Sequence, residues 1–257
     1  MHNLIFEKIT KVHHWSKSLF SFKTTKEIDF NFQNGQFTMI GFRTDRSFLF
    51  RAYSTVSSSH ESHLEFLSVK IAKGKLTSIL QHIKKNDFIL INKKFVGNLL
   101  INNLYKGRNL YLISTGTGIA PFISIIKDTK TYKKFTNIIL IHCVRFIKDL
   151  CYEKYIKNNI YKKNFFFEYI KKNFIYYPIV TRENFQNYKY IKKFIIYKKF
   201  FKNFNLYNLD PKFDRIMICG SPKILKDLYI LFLNIGFNEF SKLINKNNIL
   251  LEKSFVR

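Results

Sequence analysis

Apolar positions along the first hundred residues come in short runs instead of the wider spacing of helices. Leu19 to Lys23, Phe37 to Arg43 and Ser47 to Ser54 are brief β-rich segments, and Leu64 to Ile71 alternates in part through Leu64, Phe66, Val69 and Ile71. Gly35 and Thr44-Asp45-Arg46 mark turns between them. Several short strands at close spacing predict an antiparallel β-barrel or sandwich. One helix is predicted over Lys75 to Ile83, and a strand over Phe88 to Ile91.

Beyond about Asn103 the rhythm lengthens. Strand Asn109 to Ser114 leads through glycines into a helix over Ile119 to Lys127, and strand Asn137 to Cys143 precedes a helix near Leu150 to Lys157. A further strand is predicted over Phe165 to Tyr169, and strand Arg215 to Cys219 leads into a helix from Pro222 to Leu233. Strands alternating with helices are the pattern of a parallel sheet with crossover connections. The chain therefore reads as two domains: an all-β domain over 1–103 and an α/β parallel-sheet domain over 104–257.

Composition narrows the class. Apolar residues make up 46% of the 257 positions, enough for packed cores. No apolar run approaches the roughly 18–20 residues of a spanning helix, so no membrane insertion is expected. The first residues, Met1 to Lys8, lack the apolar stretch of a secretory signal. The 3 cysteines lack the CxxC spacing of a zinc or iron–sulfur site, so no metal is expected. A cytoplasmic, reducing setting fits.

Charge complicates this picture. With 44 Lys and Arg against 17 Asp and Glu, the net charge is +27. Such an excess fits a nucleic-acid surface. It also fits compositional drift, because the lysines travel with Asn, Ile, 29 Phe and 15 Tyr against only 9 Gly and 4 Pro, a bias of A/T-rich codons. Under either origin, the positive field favours anionic ligands and acidic partners.

Candidate chemistry sits at strand ends. Arg51-Ala52-Tyr53-Ser54 offers a guanidinium for a diphosphate, a flat ring and a hydroxyl. It also fits an ordinary strand end with a surface Arg and a core Tyr. Gly74-Lys75-Leu76-Thr77-Ser78 opens a helix and fits either an anion site or a plain N-cap. Ser114-Thr115-Gly116-Thr117-Gly118-Ile119-Ala120-Pro121-Phe122 follows a strand and opens a helix. Its glycines allow a tight turn and a close approach to phosphate, although Pro121 stands where the dinucleotide fingerprint has its third Gly. His142-Cys143-Val144-Arg145 and Val180-Thr181-Arg182 end two further strands, where arginines suit a ribose 2′-phosphate or simply face solvent. Ile218-Cys219-Gly220-Ser221-Pro222 repeats the strand–Gly–helix pattern, with Cys219 either facing the same crevice or buried as a small thiol. The seven histidines read as structural or surface residues.

Taken in order, RAYS, GKLTS, STGTGIAPF, VR, VTRE, DRIMICGSP and a near-terminal Phe form a set that resembles the bacterial ferredoxin/flavodoxin–NADP reductases, within the ferredoxin–NADP reductase-like flavoprotein superfamily. The resemblance runs from about Lys8 to Arg257. It implies an FAD-binding antiparallel β-barrel followed by an NADP-binding α/β domain, with the C-terminal tail returning to the flavin. By resemblance, Arg51, Ala52, Tyr53 and Ser54 hold FAD. Leu67, Ser68, Val69 and Lys70 line its flavin and adenosine side, and Lys75, Leu76 and Thr77 its diphosphate. Gly116 and Gly118 shape the NADP(H) diphosphate loop, and Thr117 lies near flavin and nicotinamide. Arg145 and Arg182, with Val144 and Thr181, take the 2′-phosphate. Cys219, Gly220, Ser221 and Asp227 line the nicotinamide side, and Phe255 stacks on the isoalloxazine. Ser54, Cys219 and Phe255 are thus the expected catalytic positions.

The implied reaction is hydride transfer between nicotinamide C4 and flavin N5, then single-electron steps with ferredoxin or flavodoxin, an acidic partner for a monomeric enzyme. Three departures stand out: Arg257 ends a tail that is often acidic or Lys-bearing, Cys143 replaces a common Gly, and Lys154 to Phe204 matches only through VTRE. An NAD(P)H-dependent flavin or oxygenase reductase is the alternative. A basic nucleic-acid binder leaves unexplained why glycines and arginines fall at successive strand ends.

Overall fold

The computed structural model describes residues 3–28, 30–44, 47–160, 172–185, 198–238 and 247–254. The first strand, β1 (Leu4–His14), is not announced by apolar spacing because Glu7, Lys8 and Lys11 interrupt the run. Glu7 is nevertheless buried. Its carboxylate accepts hydrogen bonds from the Thr25 hydroxyl and from the Glu27 amide (2.9 Å), which satisfies the charge inside the protein.

β1 is the fourth strand of a six-stranded antiparallel sheet. The other five are β2 (Leu19–Thr24), β3 (Phe37–Arg43), β4 (Phe48–Ser54), β5 (Leu64–Val69) and β6 (Phe88–Asn92), and the order is β4-β3-β6-β1-β2-β5. The two edges meet, because Thr55 bridges Phe66 and the Val56 amide donates to the Glu65 carbonyl at 2.8 Å. The sheet thus curls into the expected barrel, which removes its open edges. Phe20, Phe22, Ile40, Phe66 and Ile91 fill the inside. The helix predicted over Lys75 to Ile83 is shorter, α1 (Thr77–Leu80). Leu76 caps it in an α conformation with its side chain in the core, so no hydroxyl caps this turn.

The second sheet is parallel, in the order β11-β10-β7-β8-β9. Its strands are β7 (Gly107–Thr115), β8 (Phe135–Val144), β9 (Phe174–Val180), β10 (Asp214–Gly220) and β11 (Ile249–Lys253). β7, β8 and β10 are buried almost throughout, as expected of strands covered on both faces. Asp214 aligns the starts of β7 and β10. Its carboxylate accepts from Asn109 Nδ2 (2.9 Å), the Asp210 amide (3.0 Å) and Arg108 Nη2 (3.3 Å). The connecting helices are α2 (Ala120–Ile126), α3 (Thr129–Lys134), α4 (Glu153–Tyr155, continued by a π-turn over Ile156–Ile160), α5 (Lys198–Asn203) and α6 (Pro222–Ile235). The strand predicted over Phe165 to Tyr169 falls outside the described residues.

Two compact units result. One comprises the chain through Leu100 together with Ala120–Asp128 and Ser254; the other comprises Ile101–Ile119 and Thr129–Lys253. A division at residue 103 assigns Ala120–Asp128 to the second domain, whereas the structure groups that segment with the barrel. The reason is a buried polar seam. The Ser124 hydroxyl donates to the Ser57 carbonyl (2.8 Å), Asn34 Nδ2 donates to the Asp128 carboxylate (2.9 Å), and the Ser59 amide donates to Asn34 Oδ1 (2.7 Å).

Candidate functional site

In the barrel unit, Arg51, Ala52, Tyr53 and Ser54 close β4. Arg51 is exposed, with one guanidinium nitrogen donating back to the Phe50 carbonyl at 2.7 Å. Tyr53 is half-buried, its ring edge-on to Phe66 and its hydroxyl 3.0 Å from Ser68 Oγ. Burial raises the Tyr53 pKa above the usual phenol value, so the hydroxyl stays protonated. β5 ends at Val69, with Leu67 and Ser68 buried beside it and Lys70 partly exposed. Lys75 is exposed, and the Thr77 hydroxyl donates to the Ile71 carbonyl (3.0 Å). Leu76 can offer a ligand only its backbone, because its side chain is interior. As a donor set, exposed cations at Arg51 and Lys75 with a half-buried ring at Tyr53 fit a flavin dinucleotide: charge for the diphosphate and a flat face for the ring system.

The second unit has a topological switch point. The chain starts the sheet at its middle with β7, builds outward through β8 and β9, then returns to the other side of β7 with β10. At such a point the strand ends diverge and leave a crevice. The loop after β7 and the turn after β10 both lie there, interlocked. A Cβ on Gly118 would run into the Cys219 carbonyl, and one on Gly220 into the Thr115 hydroxyl. The Ser221 amide donates to that same hydroxyl at 3.2 Å. Gly116 differs: its φ is +54°, and, apart from its own turn and chain neighbours, no heavy atom lies within 4 Å of where a Cβ would sit. A left-handed backbone with open space above it fits a dinucleotide diphosphate, which needs the main chain to approach closely.

At the neighbouring strand ends the ladder continues past β8 and β9. The Thr181 amide donates to the Val144 carbonyl (3.0 Å) and the Arg182 amide to the Arg145 carbonyl (2.9 Å). The two arginines are exposed and adjacent in the ladder, while Val144 is packed inside. Arg182 also lies over the Phe146 ring at 5.9 Å and Lys148 at 5.1 Å, a cationic cluster for which neither Phe146 nor Lys148 gave a sequence signal. Glu183 accepts the Ile147 amide at 2.5 Å, which ties the two loops together.

Cys219 does not open on the crevice. Its side chain is fully enclosed, and burial holds the thiol protonated well above its ordinary range. Cys143 is partly exposed, its pKa pushed up to about 12 by burial. Neither is a ready thiolate. Asp227 is half-buried on α6. Phe255 lies outside the described residues. Sequence reasoning passed over His142 and Tyr176, which hold the glycine loop from beneath. All seven histidines read as structural or surface residues, and nothing in the sequence names what His142 touches.

Comparison with known proteins accords with both halves of this geometry. Residues 4–94 match the oxidoreductase FAD-binding domain model and residues 112–229 the oxidoreductase NAD-binding domain model. The chain is 41% identical to a ferredoxin–NADP reductase of Azotobacter vinelandii over 256 residues, covering 100% of this chain and 99% of that protein. It is 34% identical to a flavodoxin/ferredoxin–NADP reductase of Rhodobacter capsulatus, over 97% and 93% of the two chains. Among solved structures, a Neisseria gonorrhoeae ferredoxin–NADP+ reductase with bound FAD and NADP superposes with a TM-score of 0.87 at 27% identity, covering 98% of this chain and 99% of that one. No helix among the described residues is long and apolar enough to cross a membrane. Identity at this level from end to end, on a fold that corresponds throughout, makes this chain a member of the ferredoxin–NADP reductase family.

Proposed function

We propose that this reductase moves electrons between NADPH and ferredoxin or flavodoxin, as a monomer in the cytoplasm. The observation that carries the dinucleotide assignment is the pair of exposed arginines, Arg145 and Arg182, joined through their backbones beside a glycine loop with open space above Gly116. Two guanidiniums suit the dianionic 2′-phosphate, which distinguishes NADP(H) from NAD(H).

Bound FAD supplies the exchange between a hydride and single electrons. The residues of this chain bind and orient. Arg51 and Lys75 neutralise the FAD diphosphate, Leu76 and Thr77 contribute main chain there, and Leu67 to Lys70 border the adenosine and flavin. Tyr53 lays its ring against the flavin, kept in place by the Ser68 hydroxyl, and Ser54 offers a hydrogen bond to the ring edge. Gly116, Thr117 and Gly118 hold the NADP(H) diphosphate, and Gly220, Ser221 and Asp227 border the nicotinamide, while the enclosed Cys219 thiol does not reach it. Phe255, which lies outside the described residues, is assigned to the flavin only by the family resemblance.

The test is the visible spectrum of the purified protein before and after anaerobic NADPH. Flavin bands that bleach with NADPH and barely with NADH support the reading. Equal bleaching by both favours a flavin or oxygenase reductase. A colourless protein that takes up no added FAD overturns the flavin assignment.

A further inference from the structure

Directly beneath the glycine loop lies a buried histidine that the chemistry above does not use. His142 is on β8, and none of it reaches solvent. Its Nε2 is 3.2 Å from the Gly116 carbonyl oxygen, and its Nδ1 is 3.3 Å from the Tyr176 hydroxyl on β9. A carbonyl only accepts, so Nε2 carries the proton. Burial keeps the ring neutral, with its pKa lowered to about 4. Nδ1 is therefore an acceptor, and the Tyr176 O–H donates to it. Burial also raises the Tyr176 pKa, so that proton stays in place. Donation runs one way, from Tyr176 to His142 to Gly116.

The effect falls on the peptide joining Gly116 to Thr117. That peptide is planar and trans, so its N–H points opposite to its C=O. A carbonyl drawn inward to His142 therefore turns the Thr117 N–H to the opposite side of the peptide, away from the buried ring. Glycine adopts φ +54° and its alternatives with similar ease, so the orientation is set by the 3-10 turn over Gly116–Ile119 together with the His142 contact. We propose that His142, fixed in one tautomer by Tyr176, is a positioning residue that aims the Thr117 amide of the glycine loop at the diphosphate of the bound dinucleotide. The proposal rests on the reductase reading given above.

The test compares two ligands by titration calorimetry on the purified flavoprotein: NADP+, and adenosine 2′-monophosphate, which has the 2′-phosphate but no diphosphate. His142→Leu is expected to weaken NADP+ by about 3- to 10-fold, the worth of one hydrogen bond, and to leave adenosine 2′-monophosphate within about twofold. His142→Gln, whose amide can donate to Gly116 and accept from Tyr176, is expected to restore NADP+ affinity. Tyr176→Phe is expected to fall between the two, and it carries the test if the leucine variant does not fold. Equal weakening of both ligands, or of neither, overturns the proposal while leaving the reductase reading intact. Failure of the unaltered protein to bind either ligand overturns both.

Discussion

At the scale of single residues, Gly116 and Gly118 look equivalent in the sequence and are not. Gly118→Ala forces a Cβ into the Cys219 carbonyl. It is expected to lower stability by about 1–3 kcal/mol, as overpacking does, with a matching fall in Tm. Gly116→Ala meets no neighbour and bears only the left-handed backbone, about 1–2 kcal/mol, so its larger effect should be a raised KM for NADPH. His142 adds a pH signature. Its folded pKa of about 4 lies below the unfolded value of 6.5, so below pH 6.5 the unfolded chain takes up a proton that the folded chain refuses. The stability from this group is complete above pH 6.5 and is lost as pH falls toward 4, at up to about 1.4 kcal/mol per pH unit. His142→Gln should therefore lose less Tm between pH 7 and pH 5 than the unaltered protein. The types of residue at the strand ends were legible in the sequence, because Arg, Gly and Ser carry their chemistry with them. Their partners were not: nothing in the spacing links His142 to Tyr176, which come together only because β8 and β9 pair in register.

Among the elements, those with an apolar run were readable and those held by polar contacts were not. β3, β4 and β10 follow from their own residues. β1 does not, since its inward Glu7 is paid for by Thr25 and Glu27 from elsewhere in the chain. α3 and β11 escaped notice because each is too short to show a period, six and five residues. α1 reads longer in sequence than it is, because Leu80 and Ile83 keep helical spacing while the chain already turns. The seam around α2 was equally invisible, and it is testable. Asn34→Ala removes the hydrogen bonds to Asp128, Ser59 and Ser124 at once. A loss of about 2–4 kcal/mol is expected, read as a lower midpoint in urea, because buried polar groups lose their partner without gaining water. Lys127→Ala, which removes one partly exposed ion pair with Glu61, should cost no more than about 1 kcal/mol.

For the whole molecule, the charge of +27 acts on encounter more than on fold. Reduction of an acidic acceptor protein is expected to slow by about 10- to 100-fold between low salt and about 0.5 M, as the field is screened. A rate independent of salt would show that the lysines play no part in meeting the acceptor. The order of the chain through its two units has a different consequence. The polypeptide leaves the barrel unit at Leu100, comes back for Ala120–Asp128 and leaves again. A fragment ending at Leu100 lacks Ser124 and Lys127, which hold the Ser57–Glu61 loop. Two reductases therefore cannot exchange halves at one junction. A working chimera must carry Ala120–Asp128 with the barrel it grew up against, so in any recombined enzyme this helix is inherited with the first unit although it is translated after the glycine loop of the second.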